Sequence, residues 1–171
     1  ISNEKLTVFG NLPYNISTEI LSKWITNLNK KIWFESLVLM FQKEVAERII
    51  AESNTSKYGR LSILSNWKLN IKKIMDIKAQ SFSPRPKVDS TLLLFTPRNN
   101  IFELEDAKNL EMITRVFFSQ RRKMLKKPFN QVFTNAKEVA DKFNIDLNLR
   151  PQNLEPEIYF KLVKEYENLR R

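Results

Sequence analysis

The sequence predicts an α/β fold followed by an all-helical part, and three observations predict it. Two near-continuous apolar runs, Leu6 to Phe9 (LTVF) and Phe34 to Phe41 (FESLVLMF), are each followed by a segment whose apolar residues recur at spacings of three and four. That strand–helix–strand–helix rhythm is the sign of a parallel sheet covered on both faces. After Pro97 no strand-like run remains, and only helical periodicity is left.

The elements follow in order. Leu6 to Phe9 reads as a short buried strand. Ile16 to Leu28 reads as an amphipathic helix with Ser17 as N-cap, because Ile20, Leu21, Trp24, Ile25 and Leu28 fall on one face. Phe34 to Phe41 is the second buried strand, and Lys43 to Glu52 a helix with Val45, Ala46 and Ile49 inward. Leu61 to Trp67 is a further helical segment. Ile71 to Ala79 and Thr91 to Phe95 are strands, separated by SFSPRPKVDS, whose two prolines stiffen the link. Three helical stripes close the chain: Leu110, Ile113 and Phe117; Ala136, Val139, Ala140 and Phe143; Tyr159, Leu162, Tyr166 and Leu169. Trp24, Trp33 and Trp67 are expected in the core. The boundary between the two parts is placed at Arg98 and Asn99, giving domains 1–98 and 99–171.

Composition restricts the chemistry. The chain of 171 residues is 42% hydrophobic and 11% aromatic, which suits a packed globule. It has no histidine and no cysteine, which removes imidazole and thiolate nucleophiles and any ordinary zinc site. Chemistry must rest on carboxylates, amides, aromatic rings, backbone groups or a bound cofactor, and no metal is expected. No apolar run approaches the ~20 residues that cross a bilayer, and no signal pattern opens the chain. A cytoplasmic protein without membrane partners is expected. The net charge of +10 points to a polyanionic partner, with nucleic acid favoured.

Two motifs carry candidate chemistry. In NLPY, Asn11 and the backbone carbonyl of Leu12 offer two acceptors at the carboxyl end of a strand, where α/β sheets bind ligands. Pro13 stiffens the turn and Tyr14 adds a flat face, an arrangement that suits the exocyclic amine of a purine. As a bare tetrapeptide it is equally a strand-to-helix loop. In SFSPRPKVDST, Phe82 is either a core residue in a stiffened link or a second ring opposite Tyr14 around an extruded base. Gln42, Lys43 and Glu44 read as a helix start, with Glu44 complementing the helix dipole.

Cations are unevenly spread. From Ser53 to Val88 stand Lys57, Arg60, Lys68, Lys72, Lys73, Lys78, Arg85 and Lys87 against Asp76 alone. From Met112 to Ala136 stand Arg115, Arg121, Arg122, Lys123, Lys126 and Lys127 with no acid. A charge run is ordinarily a solvated helix face, but two acid-poor stretches beside a candidate base pocket favour a phosphate-tracking surface. Arg85, Lys87, Arg115, Arg121, Arg122, Lys123, Lys126 and Lys127 are its candidates.

The segments GNLPYNIST, FQKEVAERI, YGRLSILSNW, FSPRPKVDST and FFSQRRKML, in this order and spacing, resemble the rRNA adenine N6,N6-dimethyltransferases, and within that family the bacterial small-subunit (16S) type. The likeness runs from about Thr7 to Lys127 and more loosely through the last helices. It implies the C-terminal half of a Rossmann-like class I methyltransferase sheet in 1–98 and a helical RNA-binding domain in 99–171. It also implies that Asn11 and the Leu12 carbonyl bind the target adenine N6, that Tyr14 and Phe82 flank the base, and that Pro13 belongs to the same catalytic turn. The methyl donor would be S-adenosylmethionine, bordered by Asn11. The reaction would be dimethylation of two adjacent adenosines near the 3′ end of small-subunit rRNA, on the immature subunit.

The family's glycine-rich cofactor turn and the acidic residues that hold the cofactor precede the NLPY strand, and this chain has only Gly10 and Gly59, neither in a G-x-G pattern. Residues 1–171 are therefore expected to hold the cofactor very weakly or not at all, and to expose an apolar sheet edge at Leu6 to Phe9. Two other readings stand beside this one: a non-catalytic RNA-binding or ribosome-assembly factor on the same fold, and a large-subunit rRNA adenine methyltransferase. A DNA adenine methyltransferase would carry Asp in place of Asn11.

Overall fold

The computed structural model describes residues 5–28 and 32–170. The chain divides into two compact units, one of residues 1–50 with 68–101 and one of residues 51–67 with 102–171. This differs from a single cut at 98 and 99. Residues 51–67 belong with the helices because their anchors are distant in sequence. The buried Tyr58 donates from its hydroxyl to the Leu154 carbonyl at 2.8 Å, and the Asn54 N–H reaches the Gln152 carbonyl at 2.8 Å.

The first unit is built on four strands: β1 (Leu6–Asn11), β2 (Phe34–Gln42), β3 (Leu69–Ile77) and β4 (Ser90–Pro97). Their order in the sheet is β1-β2-β4-β3. β1 pairs parallel with β2, but β4 runs antiparallel to both β2 and β3, so the sheet is mixed where the apolar runs had predicted a parallel one. The reason is the β3–β4 connection, which reverses the chain through a proline-stiffened link instead of a helical crossover. β2 is central, and the run Leu37 to Phe41 is buried throughout. β1 is the edge strand of these four, with Leu6 58% and Phe9 77% exposed, which is the apolar edge expected of residues 1–171 and not a strand buried on both sides. Gly10 faces Leu39 so closely that a Cβ would lie 2.8 Å from its Cδ2.

Helix α1 (Ser17–Asn27) buries Leu21 and Ile25. Ser17 is not its cap. It is the first helical residue, buried, and its hydroxyl donates to the Tyr14 carbonyl at 3.2 Å. Helix α2 (Lys43–Ile49) opens directly from β2 with Glu44 in its first turn, as the Gln42-Lys43-Glu44 sequence suggests, and it ends before Glu52.

The second unit holds most of α3 (Arg60–Lys68). It also holds α4 (Ala107–Ser119), α5 (Lys126–Val132), α6 (Ala136–Lys142) and α7 (Pro156–Asn168). The apolar stripes meet as their spacing predicts: Leu110, Ile113, Phe117, Phe129, Val139, Tyr159 and Leu162 are buried, and the Phe117 ring lies 5.3 Å from Phe129 and 5.6 Å from Tyr159. Leu169, by contrast, follows the end of α7 and is half exposed. The buried Glu167 carboxylate accepts from the Glu105 and Asp106 N–H groups at 3.0 to 3.2 Å, and so serves the start of α4. Asp106 caps that helix itself, accepting from the Lys108 N–H at 2.9 Å. Of the tryptophans, Trp67 is buried, Trp24 half-buried, and Trp33 45% exposed, contrary to the expectation that all three are core.

Candidate functional site

The parallel pairing of β1 with β2 sets Asn11 beside Met40 at the carboxyl ends of both strands. The chain then turns sharply at Pro13, whose carbonyl accepts from the Ile16 N–H at 3.1 Å, and enters α1. Around this turn Asn11, Leu12, Pro13, Tyr14, Met40, Phe82, Pro84 and Pro86 line a pocket of about 230 Å³. That is below the range of pockets for drug-sized ligands. It admits one planar group, not a helix of nucleic acid. The two motifs, far apart in sequence, thus line one pocket, and Tyr14 and Phe82 both belong to it. None of the lining side chains is charged.

The walls are braced from β4. The Tyr14 hydroxyl shares a 2.6 Å hydrogen bond with the Ser90 hydroxyl, which is fully buried. The link bearing Phe82 starts with a single 3₁₀ turn at Ala79–Ser81. There the Asp89 carboxylate accepts from the Ala79 N–H at 2.9 Å and from Lys78 Nζ at 3.1 Å. These two partners, the backbone N–H first, hold the Asp89 carboxyl below the usual carboxylate range. Asp76, the one acid of the Lys57 to Lys87 stretch, is drawn down to about 2 by Lys73 Nζ at 2.8 Å and the Thr91 hydroxyl at 2.6 Å. Pro84 and Pro86 are the prolines that mark the link in the sequence, whereas Met40, Asp89 and Ser90 are not singled out by it. The signal for the last two is an Asp-Ser step immediately before a strand, which is too common to read alone.

The cations sort by environment. Arg85 and Lys87 are exposed on the proline link. Lys68 is buried, and burial lowers its ammonium pKa to about 8, so it is not a surface cation. In the helical unit a cleft of about 740 Å³ is lined by Arg122, Lys123, Met124, Lys126, Lys127, Asn130, Gln131, Asn148 and Arg150. It forms because Leu125 is fully buried and its N–H bonds the Leu149 carbonyl at 2.8 Å, which leaves the flanking cations outward. Arg115, exposed on α4, is not in the lining.

Arg121 is engaged elsewhere. Its Nη2 donates to the Thr55 and Ser56 carbonyls at 3.2 and 2.5 Å, and its Nε to Gln152 Oε1 at 3.2 Å. Asn130, Gln131, Asn148 and Arg150 are the lining residues that sequence reasoning missed. Asn130 was accessible through helix period, since the inward Phe129 and Phe133 turn it to the surface. Among the described residues no cluster of three or more acidic side chains suits a metal ion, and no helix is long and apolar enough to cross a membrane.

Residues 1–168 match the family model described as ribosomal RNA adenine dimethylase. The ribosomal RNA small subunit methyltransferase A of Pelagibacter ubique (strain HTCC1062) is 79% identical over 170 residues, covering 99% of this chain and 65% of that protein. The protein of the same name from Ehrlichia ruminantium (strain Gardel) is 41% identical over 158 residues, covering 90% of this chain and 58% of its own length. The chain therefore spans under two thirds of the length of these curated relatives. Among solved structures, a dimethyladenosine transferase from Plasmodium falciparum superposes with a TM-score of 0.78 at 26% identity, over 98% of this chain and 69% of that one. The 23S rRNA methyltransferase ErmE shares the fold, with a TM-score of 0.63 at 19% identity, over 96% of this chain and 66% of that one. The match along nearly the whole sequence makes this chain a member of the ribosomal RNA adenine dimethylase family.

Proposed function

We propose that this chain is the substrate-side part of an S-adenosylmethionine-dependent enzyme that dimethylates N6 of two adjacent adenosines near the 3′ end of small-subunit rRNA. The observation that carries the proposal is the uncharged pocket in which Asn11, the Leu12–Pro13 turn, Tyr14 and Phe82 come together. Family membership and the names of the small-subunit relatives support the choice of substrate.

The residues divide the work as follows. The Asn11 side-chain carbonyl and the Leu12 backbone carbonyl accept the two hydrogens of the target amine. Tyr14 and Phe82 stack on the faces of the extruded base, offsetting the cost of unstacking it. Pro13, Pro84 and Pro86 fix the backbone on which these groups stand, so little reorganisation is needed when the base arrives. Acceptors aimed at both amine hydrogens favour the geometry in which the nitrogen lone pair leaves conjugation and points at an electrophile. No general base is required, because an N-methylated ammonium on an aryl amine loses its proton to water.

S-adenosylmethionine supplies the electrophilic methyl group when bound. Asn11 is the residue of this chain that suits its border: it is exposed at the end of the edge strand, and its amide offers both a donor and an acceptor. RNA is held by Arg85 and Lys87 near the pocket and by Arg122, Lys123, Lys126, Lys127 and Arg150 in the helical unit. The partner is the immature small ribosomal subunit, and the setting is cytoplasmic.

The test is single-turnover methylation of small-subunit RNA by a chimera joining this chain to the stretch of the Pelagibacter ubique relative that it does not match. Transfer of methyl groups to adenine N6 is expected. Tight RNA binding with no transfer would favour the reading as a binding or assembly factor.

A further inference from the structure

The two rings of the pocket come from segments far apart in sequence, yet both are tied to one dipeptide. Ser90 opens β4, is fully buried, and holds the Tyr14 hydroxyl at 2.6 Å. Asp89 precedes it and uses both ends of its polar inventory. Its carboxylate takes the Ala79 N–H at 2.9 Å and Lys78 Nζ at 3.1 Å, at the base of the turn that delivers Phe82. Its backbone carbonyl accepts from the Lys43 N–H at 3.0 Å, where β2 becomes α2. Ser90 itself pairs with Gln42 of β2, two residues beyond Met40 in the pocket lining.

A tyrosine needed only as a stacking surface has no use for a buried hydroxyl partner. A hydrogen bond of that length fixes how far the ring leans over the pocket. We propose that Asp89 and Ser90 form a positioning pair that sets the separation and tilt of Tyr14 and Phe82, and so aligns the extruded base with its acceptors. Neither residue touches the base. The inference deepens the adenine-methylation reading and rests on it for its catalytic consequence, while the clamp itself stands on geometry within this chain.

Two measurements on the 171-residue chain test the clamp without activity. Amide hydrogen exchange at Ala79 to Phe82 should accelerate about tenfold or more in Asp89→Ala, with much of the protection kept in Asp89→Asn, which retains an acceptor oxygen. A double-mutant cycle on thermal stability with Ser90→Ala and Tyr14→Phe should show strong coupling, since either change alone breaks the same bond. In the active chimera, Ser90→Ala should lower the single-turnover methylation rate on the order of tenfold with RNA affinity nearly unchanged. It should add almost nothing to Tyr14→Phe. Unchanged exchange in Asp89→Ala, or additive effects of Ser90→Ala and Tyr14→Phe, would overturn the proposal. A chimera that binds RNA but transfers no methyl group would instead overturn the methylation reading, and the exchange and stability results would then decide the clamp alone.

Discussion

The run Gln120-Arg121-Arg122-Lys123 reads as one basic patch, but the structure gives its members different work, and substitution should separate them. The Arg121 guanidinium donates to two backbone carbonyls, of Thr55 and Ser56, and to the Gln152 side chain. In Arg121→Gln these bonds are broken and two carbonyls must find water. A hydrogen bond from a charged group contributes about 1.5–3 kcal/mol when well shielded. Both carbonyl bonds are solvent-exposed here, so about 1–2 kcal/mol in all is the reasonable expectation, which corresponds to a fall in Tm of roughly 2–8 °C at about 2–4 °C per kcal/mol for a chain of this size. Arg122→Gln with Lys123→Gln should leave Tm within about a degree, since ordinary surface substitutions stay within about 0.5 kcal/mol. That double variant should instead flatten the salt dependence of RNA binding, by up to ~0.9 in slope for each duplex phosphate no longer neutralised, or ~0.7 for a single strand. Thermal melts and RNA titrations at several salt concentrations measure both quantities. Arg121→Gln flattening the salt slope while leaving Tm untouched would refute this division and move Arg121 onto the RNA.

Asn11→Ala in the chimera should cut single-turnover methylation by about 100-fold or more with RNA affinity within a few-fold, because its acceptor acts on the reacting amine; a wild-type rate would remove Asn11 from the chemistry. Tyr58→Phe should destabilise the chain by about 1–3 kcal/mol, since it strands the buried Leu154 carbonyl, and a denaturant titration with an unchanged midpoint would contradict that. Lys68 has a folded-state pKa of about 8, below the ~10.4 of an unfolded chain, so between these values the unfolded state binds more protons and stability should rise with pH. The rise should be absent in Lys68→Met, as denaturant titrations at pH 7.5, 9 and 10.5 would reveal.

What could be read in advance follows from what a linear pattern encodes. Apolar runs locate β2 and β4 because burial is recorded residue by residue, but they carry no pairing direction, so the antiparallel β4 is not visible in TLLLF. Nor does a run by itself say whether its strand is central or at the edge; the exposed edge at Leu6 and Phe9 was legible only through the family resemblance, which places further strands before NLPY. The link between segment 51–67 and the later helices is not legible in sequence, because the bonds of Asn54 and Tyr58 reach residues 152 and 154, a separation no window spans. Asn11 to Tyr14 and Phe82 stand out together because a purine amine needs acceptors and flat faces. Asp89 and Ser90 do not, since a residue that acts by holding another leaves no chemical signature of its own. Arg121 shows the converse: its charge suggests phosphate, while its position makes it a staple.

The distribution of charge gives these pieces a common logic. Interactions with phosphate supply affinity without regard to sequence, whereas interactions with a base supply discrimination. Under the proposed function the base is read by the uncharged pocket of Asn11, Tyr14 and Phe82, with Arg85 and Lys87 on the link that bears Phe82, while the strongly cationic cleft of Arg122, Lys123, Lys126, Lys127 and Arg150 in the helical unit holds phosphate. A cation beside the target amine would raise the energy of the positive charge that develops on nitrogen during transfer. On the proposed reading, a pocket lined without cations suits the chemistry, and a separate cationic cleft would let affinity be set independently of rate. Substitutions in the cleft should move salt dependence and leave the single-turnover rate at saturating RNA alone. Substitutions at the pocket should do the reverse, and a cleft variant that slowed the saturated rate would show that the two functions are coupled after all.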